Sequence, residues 1–236
     1  MLHARKDKDY RIKAIDVRAG ATIIAIHGGG IEPLTGELAT AIAGKEHNLY
    51  VLEGIRPADN EELRVPVARF QEMRLQALVR RSEVALSIEG ISGRRHMVHL
   101  GGRNRRLKRL LEAHLAQAGL EIAGPATPGP AHDPTRFYNQ AAAGGVQLEL
   151  GIALRREMVT CPLAGYAWQD ASHWTPLLYS FVDAVRAALG AYQTEVRADP
   201  AIALQRFEAA TAAFPPTLRH PIRHDHHPND DNGSEH

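Results

Sequence analysis

The sequence holds a single cysteine, Cys161, in 236 residues. An intramolecular disulfide is thereby excluded, and stability has to come from packing. No run of 18 apolar residues occurs, which excludes an ordinary membrane-spanning helix. The segment from Met1 to Lys13 is charged and carries no apolar stretch of the signal-peptide type. Excess charge is also missing, since 28 Lys and Arg face 27 Asp and Glu, a net charge of +1. Such a chain has no overall field with which to hold nucleic acid or another polyanion, so an anionic ligand must be gripped locally. The phosphate-binding patterns G-x-x-x-x-G-K-[ST] and G-x-G-x-x-G are absent. None of the six serines lies in a G-x-S-x-G nucleophile elbow, which argues against a serine hydrolase.

What is present is ordinary globular composition, 44% hydrophobic and 23% charged, in a length that suits one domain with a full core. Strands alternate with helices. Ala21 to Ile26 is a β-branched apolar run that stops at three glycines, which reads as a buried strand with His27 at its carboxyl end. A helix is expected over Thr35 to Ala43, closed by Gly44, then a strand over Asn48 to Leu52. Pro66 to Arg80 reads as a helix, Val84 to Ile88 as a strand ending at Glu89, and His96 to Leu100 as a short strand. Leu107, Leu110, Leu111, Leu115 and Ala118 line one face of a helix over Asn104 to Ala118. Leu120 to Ala123 reads as a strand and Gly124 to Asn139 as a Pro/Gly-rich loop. Gly145 to Leu150 is a strand bearing Gln147 and Glu149. Apolar spacing gives a long helix over Trp174 to Ala191, and a weaker one over Ala201 to Phe214. Beyond Arg219 the chain is polar and rich in histidine, which reads as a tail at residues 220–236 behind one domain at residues 1–219. The alternation predicts an α/β fold with helices on both faces of a sheet.

The chemistry centres on His27-Gly-Gly-Gly-Ile-Glu32. Three glycines let the backbone turn so that an imidazole and a carboxylate face one point, and a point with N and O donors suits zinc. A hydrolytic zinc site commonly takes three protein ligands and keeps a fourth position open, so a third ligand is needed. A purely structural His and Glu at this loop is the plain alternative. The basic helix face of Arg105, Arg106, Lys108 and Arg109 reads first as solvated surface.

The same segment, His27 to Pro33 followed by Thr35 and Glu37-Leu38-Ala39, resembles the N-terminal signature of poly-γ-glutamate hydrolases. The resemblance continues through Leu49-Tyr50, Glu53-Gly54, Asn60, Glu62-Leu63, Gly101-Gly102-Arg103 and Gly145 to Glu149 with Leu154-Arg155. It implies a three-layer, mixed-sheet, zinc-exopeptidase-like fold and a zinc-dependent cleavage of γ-linked glutamate chains. On this likeness His27 and Glu32 are metal ligands and Glu149 is the general base. Arg103 and Arg155 support the oxyanion or grip substrate carboxylates, and Asn139 contacts substrate.

Two positions depart from the family pattern. Ser87-Ile88-Glu89-Gly90 stands where Ser-Ile-His-Gly is expected, so the third ligand becomes Glu89, and Arg64 stands where a second histidine is expected. Two carboxylates weaken the Lewis acidity of a bound ion and shift preference from zinc toward oxygen-loving metals such as manganese. His96 and His99 are substitute donors, with edge-strand positions as their ordinary meaning. Three readings stay open: a hydrolase of poly-γ-glutamate, a binding protein that kept the fold without turnover, and a metallo-amidase on another γ-glutamyl or cell-wall amide. The implied partner is an anionic polypeptide or γ-glutamyl substrate rather than nucleic acid or membrane. The location implied is cytoplasmic, or outside the cell after lysis.

Overall fold

The computed structural model describes residues 4–93, 96–126 and 129–199. The expected helix over Ala201 to Phe214 and the histidine-rich tail lie outside the described residues. Residues up to Thr194 form one compact unit; of the second, beginning at Glu195, only the end of the last helix and Asp199 are described.

Among the described residues, seven strands make one mixed sheet: β1 (Tyr10–Ile15), β2 (Ala21–Gly29), β3 (Asn48–Gly54), β4 (Val84–Ile91), β5 (Met97–Gly102), β6 (Glu121–Ala123) and β7 (Gly145–Gly151). Their order across the sheet is β1-β3-β2-β4-β7-β5-β6. The central four, β3, β2, β4 and β7, are parallel, whereas β1 and β5 run antiparallel to their inner neighbours. Helices α1 (Thr35–Ala43), α2 (Met73–Arg81), α3 (Arg105–Gln117), α4 (Ile152–Glu157) and α5 (Pro176–Ala198) complete the fold.

Both faces are covered. On one, Leu75, Leu78 and Val79 of α2 join Ile24, Ile26, Tyr50 and Leu52 in a single buried cluster. On the other, Gly36 of α1 approaches Gly28 and the side chain of Val51, which points opposite to Tyr50. Arg186 of α5 donates to the carbonyls of Ala41 and Ile42, closing the end of α1. Parallel strands buried on both sides explain why β2 is buried along its whole length and shows no polar alternation.

Several local expectations are corrected. The helix expected from Pro66 begins only at Met73, after a 3₁₀ turn at Val67–Arg69. Phe70 lies in the intervening extended stretch and packs edge-on against Tyr50 and Phe137. Burying that ring interrupts the helix, and the Glu72 carboxylate restarts it by capping Leu75 N–H. Strand β1, read as part of a charged terminus, alternates Tyr10, Ile12 and Ala14 with Arg11 and Lys13, an edge strand blunted by charge. The short α4, carrying Arg155, was not anticipated, and the Gly124 to Asn139 loop buries Phe137, Tyr138 and Asn139 in a 3₁₀ turn.

The connections place the site. From β2 the chain crosses to β3 on one side, and from β3 it crosses back over β2 to β4 on the other. The carboxyl ends of β2 and β4 therefore diverge at a topological switch point, where open α/β sheets form their binding crevices.

Candidate metal and carboxylate site

His27, Glu89 and Glu149 lie near the carboxyl ends of three adjacent parallel strands, β2, β4 and β7, with Glu89 directly beside Glu149 in register. Glu32 reaches the same place from the loop after β2. That loop is closed by Glu32 N–H donating to the His27 carbonyl at 2.8 Å, and by the Thr35 hydroxyl donating to the Glu32 carbonyl at 2.9 Å. Gly29 has φ of +62°, and a methyl group there would overlap the Gly54 carbonyl oxygen, so the turn requires glycine. Leu34, before α1, is held at φ of +81° while fully buried, a strained conformation that the loop closure maintains.

The imidazole of His27 is 2% exposed and the Glu32 carboxylate 3%. His27 Nε2 lies 2.8 Å from the Val65 carbonyl, which can only accept, so Nε2 carries the proton. In the neutral ring Nδ1 is then an acceptor, and it faces Glu32 Oε1, another acceptor, at 3.1 Å. Nδ1 is buried with no donor facing it, and Oε1 is buried with the Arg64 guanidinium, 2.6 Å away, as its charged neighbour. Two lone pairs opposed at that distance repel unless a cation or a proton stands with them. Burial works against the charged imidazole, but the Glu32 carboxylate outweighs it and raises the His27 pKa.

The other Glu32 oxygen accepts Gly90 N–H at 2.6 Å, tying the β2 loop to the end of β4. Arg64 Nη2 stands 2.6 Å from Oε1. Glu89 is buried, with Oε1 accepting the Ser87 hydroxyl at 2.9 Å and Oε2 accepting Gln147 Nε2 at 2.8 Å. Burial first, and the nearby Glu32 charge second, push its carboxyl well above the usual range. Glu149 Oε2 accepts Ala126 N–H at 3.0 Å, and burial raises its pKa as well.

Above these groups opens a cleft of about 380 Å³ lined by His27, Glu89 and Glu149, with Tyr138 and the cations Arg64 and Arg136. The sequence-predicted set divides here. His27, Glu32, Glu89 and Glu149 come together at the cleft or directly beneath it. Arg103, Asn139 and Arg155 do not line it. Arg103 is exposed, and its backbone N–H donates to Asn139 Oδ1 at 3.0 Å. Asn139 Nδ2 donates to the carbonyls of Ala131 and Asp133, so its amide is spent on backbone. The buried Arg155 guanidinium bonds the Pro33 carbonyl at 2.8 Å and lies against Gly90, where a methyl would meet its Cζ at 2.7 Å. It braces the loop that carries Glu32 and the end of β4 that carries Glu89 from behind. Arg136 and Tyr138 had no signal in the sequence, because they sit in the irregular Pro/Gly-rich loop. His96 pairs with Glu157 and His99 bonds the Gly124 carbonyl, and neither lines the cleft.

As a metal site the donor types fit in part. His27 Nδ1 and Glu32 Oε1 are one nitrogen and one oxygen donor facing each other, and Glu89 is close enough to act electrostatically on both. Among the described residues no group of three His, Cys, Asp or Glu is already gathered tightly enough to be a finished cage.

The Poly-gamma-glutamate hydrolase family model matches residues 1–184. The chain belongs to this family. It is 27% identical over 153 residues to UPF0714 protein YndL of Bacillus subtilis (strain 168), covering 64% of this chain and 60% of YndL. It is 31% identical over 160 residues to the SPbeta prophage-derived UPF0714 protein YoqZ of the same strain, covering 66% of this chain and 58% of YoqZ. The chain thus spans about three-fifths of the length of these relatives. In fold it is similar to a bacteriophage poly-gamma-glutamate hydrolase, with TM-score 0.75 at 24% identity over 81% of this chain and 93% of that one. It is likewise similar to a zinc-free form of YndL, with TM-score 0.67 at 23% identity over 77% and 90%. The three-layer α/β architecture expected from the family is therefore the observed one. Among the described residues no helix is long and apolar enough to cross a membrane.

Proposed function

We propose that this chain is a metal-dependent amidohydrolase that cleaves γ-glutamyl amide bonds of poly-γ-glutamate. The observation that carries the reading is the buried pair of His27 Nδ1 and Glu32 Oε1, 3.1 Å apart, beside two further carboxylates, Glu89 and Glu149, at one cleft. His27, Glu32 and Glu89 are the residues that would hold the ion, zinc or manganese. When bound, the ion supplies Lewis-acid polarisation of the amide carbonyl and lowers the pKa of water.

The chain's own residues do the rest. Glu149 accepts the proton of the attacking water and delivers it to the leaving amine nitrogen, and its raised pKa suits a group that must do both near neutrality. Ala126 N–H fixes Oε2 at 3.0 Å, while Oε1 accepts only a long bond of 3.5 Å from Gln147 Nε2 and is the oxygen for the reaction. Arg136, whose buried Nε has no hydrogen-bond partner, offers the substrate's α-carboxylates a planar donor fork at the cleft wall. Arg103, Asn139 and Arg155 act at a distance by holding loops in place.

Metal content of the full-length protein, measured beside His27→Ala, tests the site. Any metal on the histidine-rich tail is common to both proteins and cancels in the difference. The expected difference is about one ion per chain, with release of γ-glutamyl fragments from the polymer that stops on chelation. Glu149→Gln is expected to lower turnover by about 10²–10⁴-fold with the ion retained. The Glu32–Arg64 ion pair favours a second reading, a polyglutamate-binding protein without turnover. Polymer binding with no cleavage in the metal-loaded wild type would establish that reading and discard the hydrolase. Cleavage of other γ-glutamyl or cell-wall amides with the polymer left intact would move the substrate instead.

A further inference from the structure

Arg64 emerges from a 3₁₀ turn at Asn60–Leu63 that is pinned by the buried Leu63, and the next residue, Val65, supplies the carbonyl that sets the His27 tautomer. One short segment thus controls both acceptors of the pair. Its guanidinium comes from the cleft side with 52% of the side chain exposed, and its Nη2 meets Glu32 Oε1 at 2.6 Å. That is the oxygen facing His27 Nδ1, since Oε2 is occupied by Gly90 N–H. Any divalent ion held between His27 and Glu32 has to share or take the oxygen that Arg64 holds. Two cations on one carboxylate oxygen repel strongly in a buried setting, so the exposed and flexible one is displaced. Once displaced, the guanidinium remains in the cleft, where it is already a lining residue.

We infer that Arg64 is the site's built-in counter-ion: it neutralises Glu32 Oε1 in the metal-free protein, yields that oxygen to a divalent ion, and then presents its donor fork to carboxylates of the substrate. This rests on the metal-dependent reading above. It makes Arg64 a competitor of the metal and a partner of the anionic ligand, so metal loading and substrate binding are thermodynamically linked.

The test is zinc titration of the full-length protein against a chelating dye, for wild type, Arg64→Gln and Arg64→Lys, with His27→Ala identifying the site. Arg64→Gln is expected to bind zinc at least tenfold more tightly than wild type, with Arg64→Lys between them because it keeps the charge without the fork. A γ-glutamyl oligomer is expected to bind wild type more tightly when zinc is present, and Arg64→Gln is expected to lose most of that gain. Equal or weaker zinc binding by Arg64→Gln, with the site lost in His27→Ala, overturns this inference and leaves the hydrolase reading intact. Absence of any His27-dependent zinc binding overturns both. Thermal melts confirm that the variants are folded, and the half-exposed position of Arg64 makes both substitutions tolerable.

Discussion

Glu37, in the first turn of α1, is half-buried outside the cleft, and its shielded Oε2 has no hydrogen-bond partner. Burial, reinforced by the charge of Glu53, raises its pKa from 4.5 to about 7. The native state therefore holds this proton more tightly than the unfolded chain. The stability it contributes is complete below pH 4.5 and is lost as pH rises through about 7. Glu37→Gln keeps the shape and removes the titration, so it should stabilise the protein by about 2 kcal/mol at pH 8 and by less than about 0.5 kcal/mol at pH 5. Urea unfolding at the two pH values checks this, and equal gains at both would mean that the carboxyl is not buried in its ionised form. At this scale the sequence was informative about His27, Glu32, Glu89 and Glu149, whose residue types and strand-end positions mark them. It was silent on Arg136 and Tyr138, because nothing in an irregular loop tells which side chains turn inward.

The elements show the same division. Asn139 was assigned to substrate on family likeness, yet its side chain joins three backbone groups, the Arg103 N–H and the carbonyls of Ala131 and Asp133. Asn139→Ala leaves these unpaired and should cost about 2–4 kcal/mol in stability, while KM for the polymer in the folded fraction changes by less than about twofold. Denaturant melts with steady-state kinetics separate the two effects, and a large KM increase at full stability would return Asn139 to the substrate. Periodicity located β2, β3, β4, β7, α3 and α5 because each repeats its apolar spacing over enough residues to be read. It extended α2 too far toward Pro66, since the burial of Phe70 is a tertiary contact that local spacing does not contain. It passed over β1, whose charged alternate residues look like a solvated terminus until the edge of β3 is there to pair with it.

For the molecule as a whole, a net charge of +1 means that no long-range field gathers the polyanion. On the proposed function, binding is carried by cations at the cleft, Arg64 and Arg136 among them, whose charges salt screens. KM for poly-γ-glutamate should therefore rise several-fold between roughly 50 and 300 mM salt with kcat nearly constant. A flat KM over that range would mean that substrate carboxylates contribute little. The sequence by itself determined the class of fold, the family and the four acidic and imidazole groups, because strand periodicity, the glycine turn and residue chemistry are local properties. Only the tertiary structure decided which of them share a cleft, that Arg103, Asn139 and Arg155 stand behind it, and that Arg64 already holds Glu32. Those facts depend on the crossing from β3 over β2 to β4 and on which buried acceptors are left without donors, and both arise only when distant segments meet.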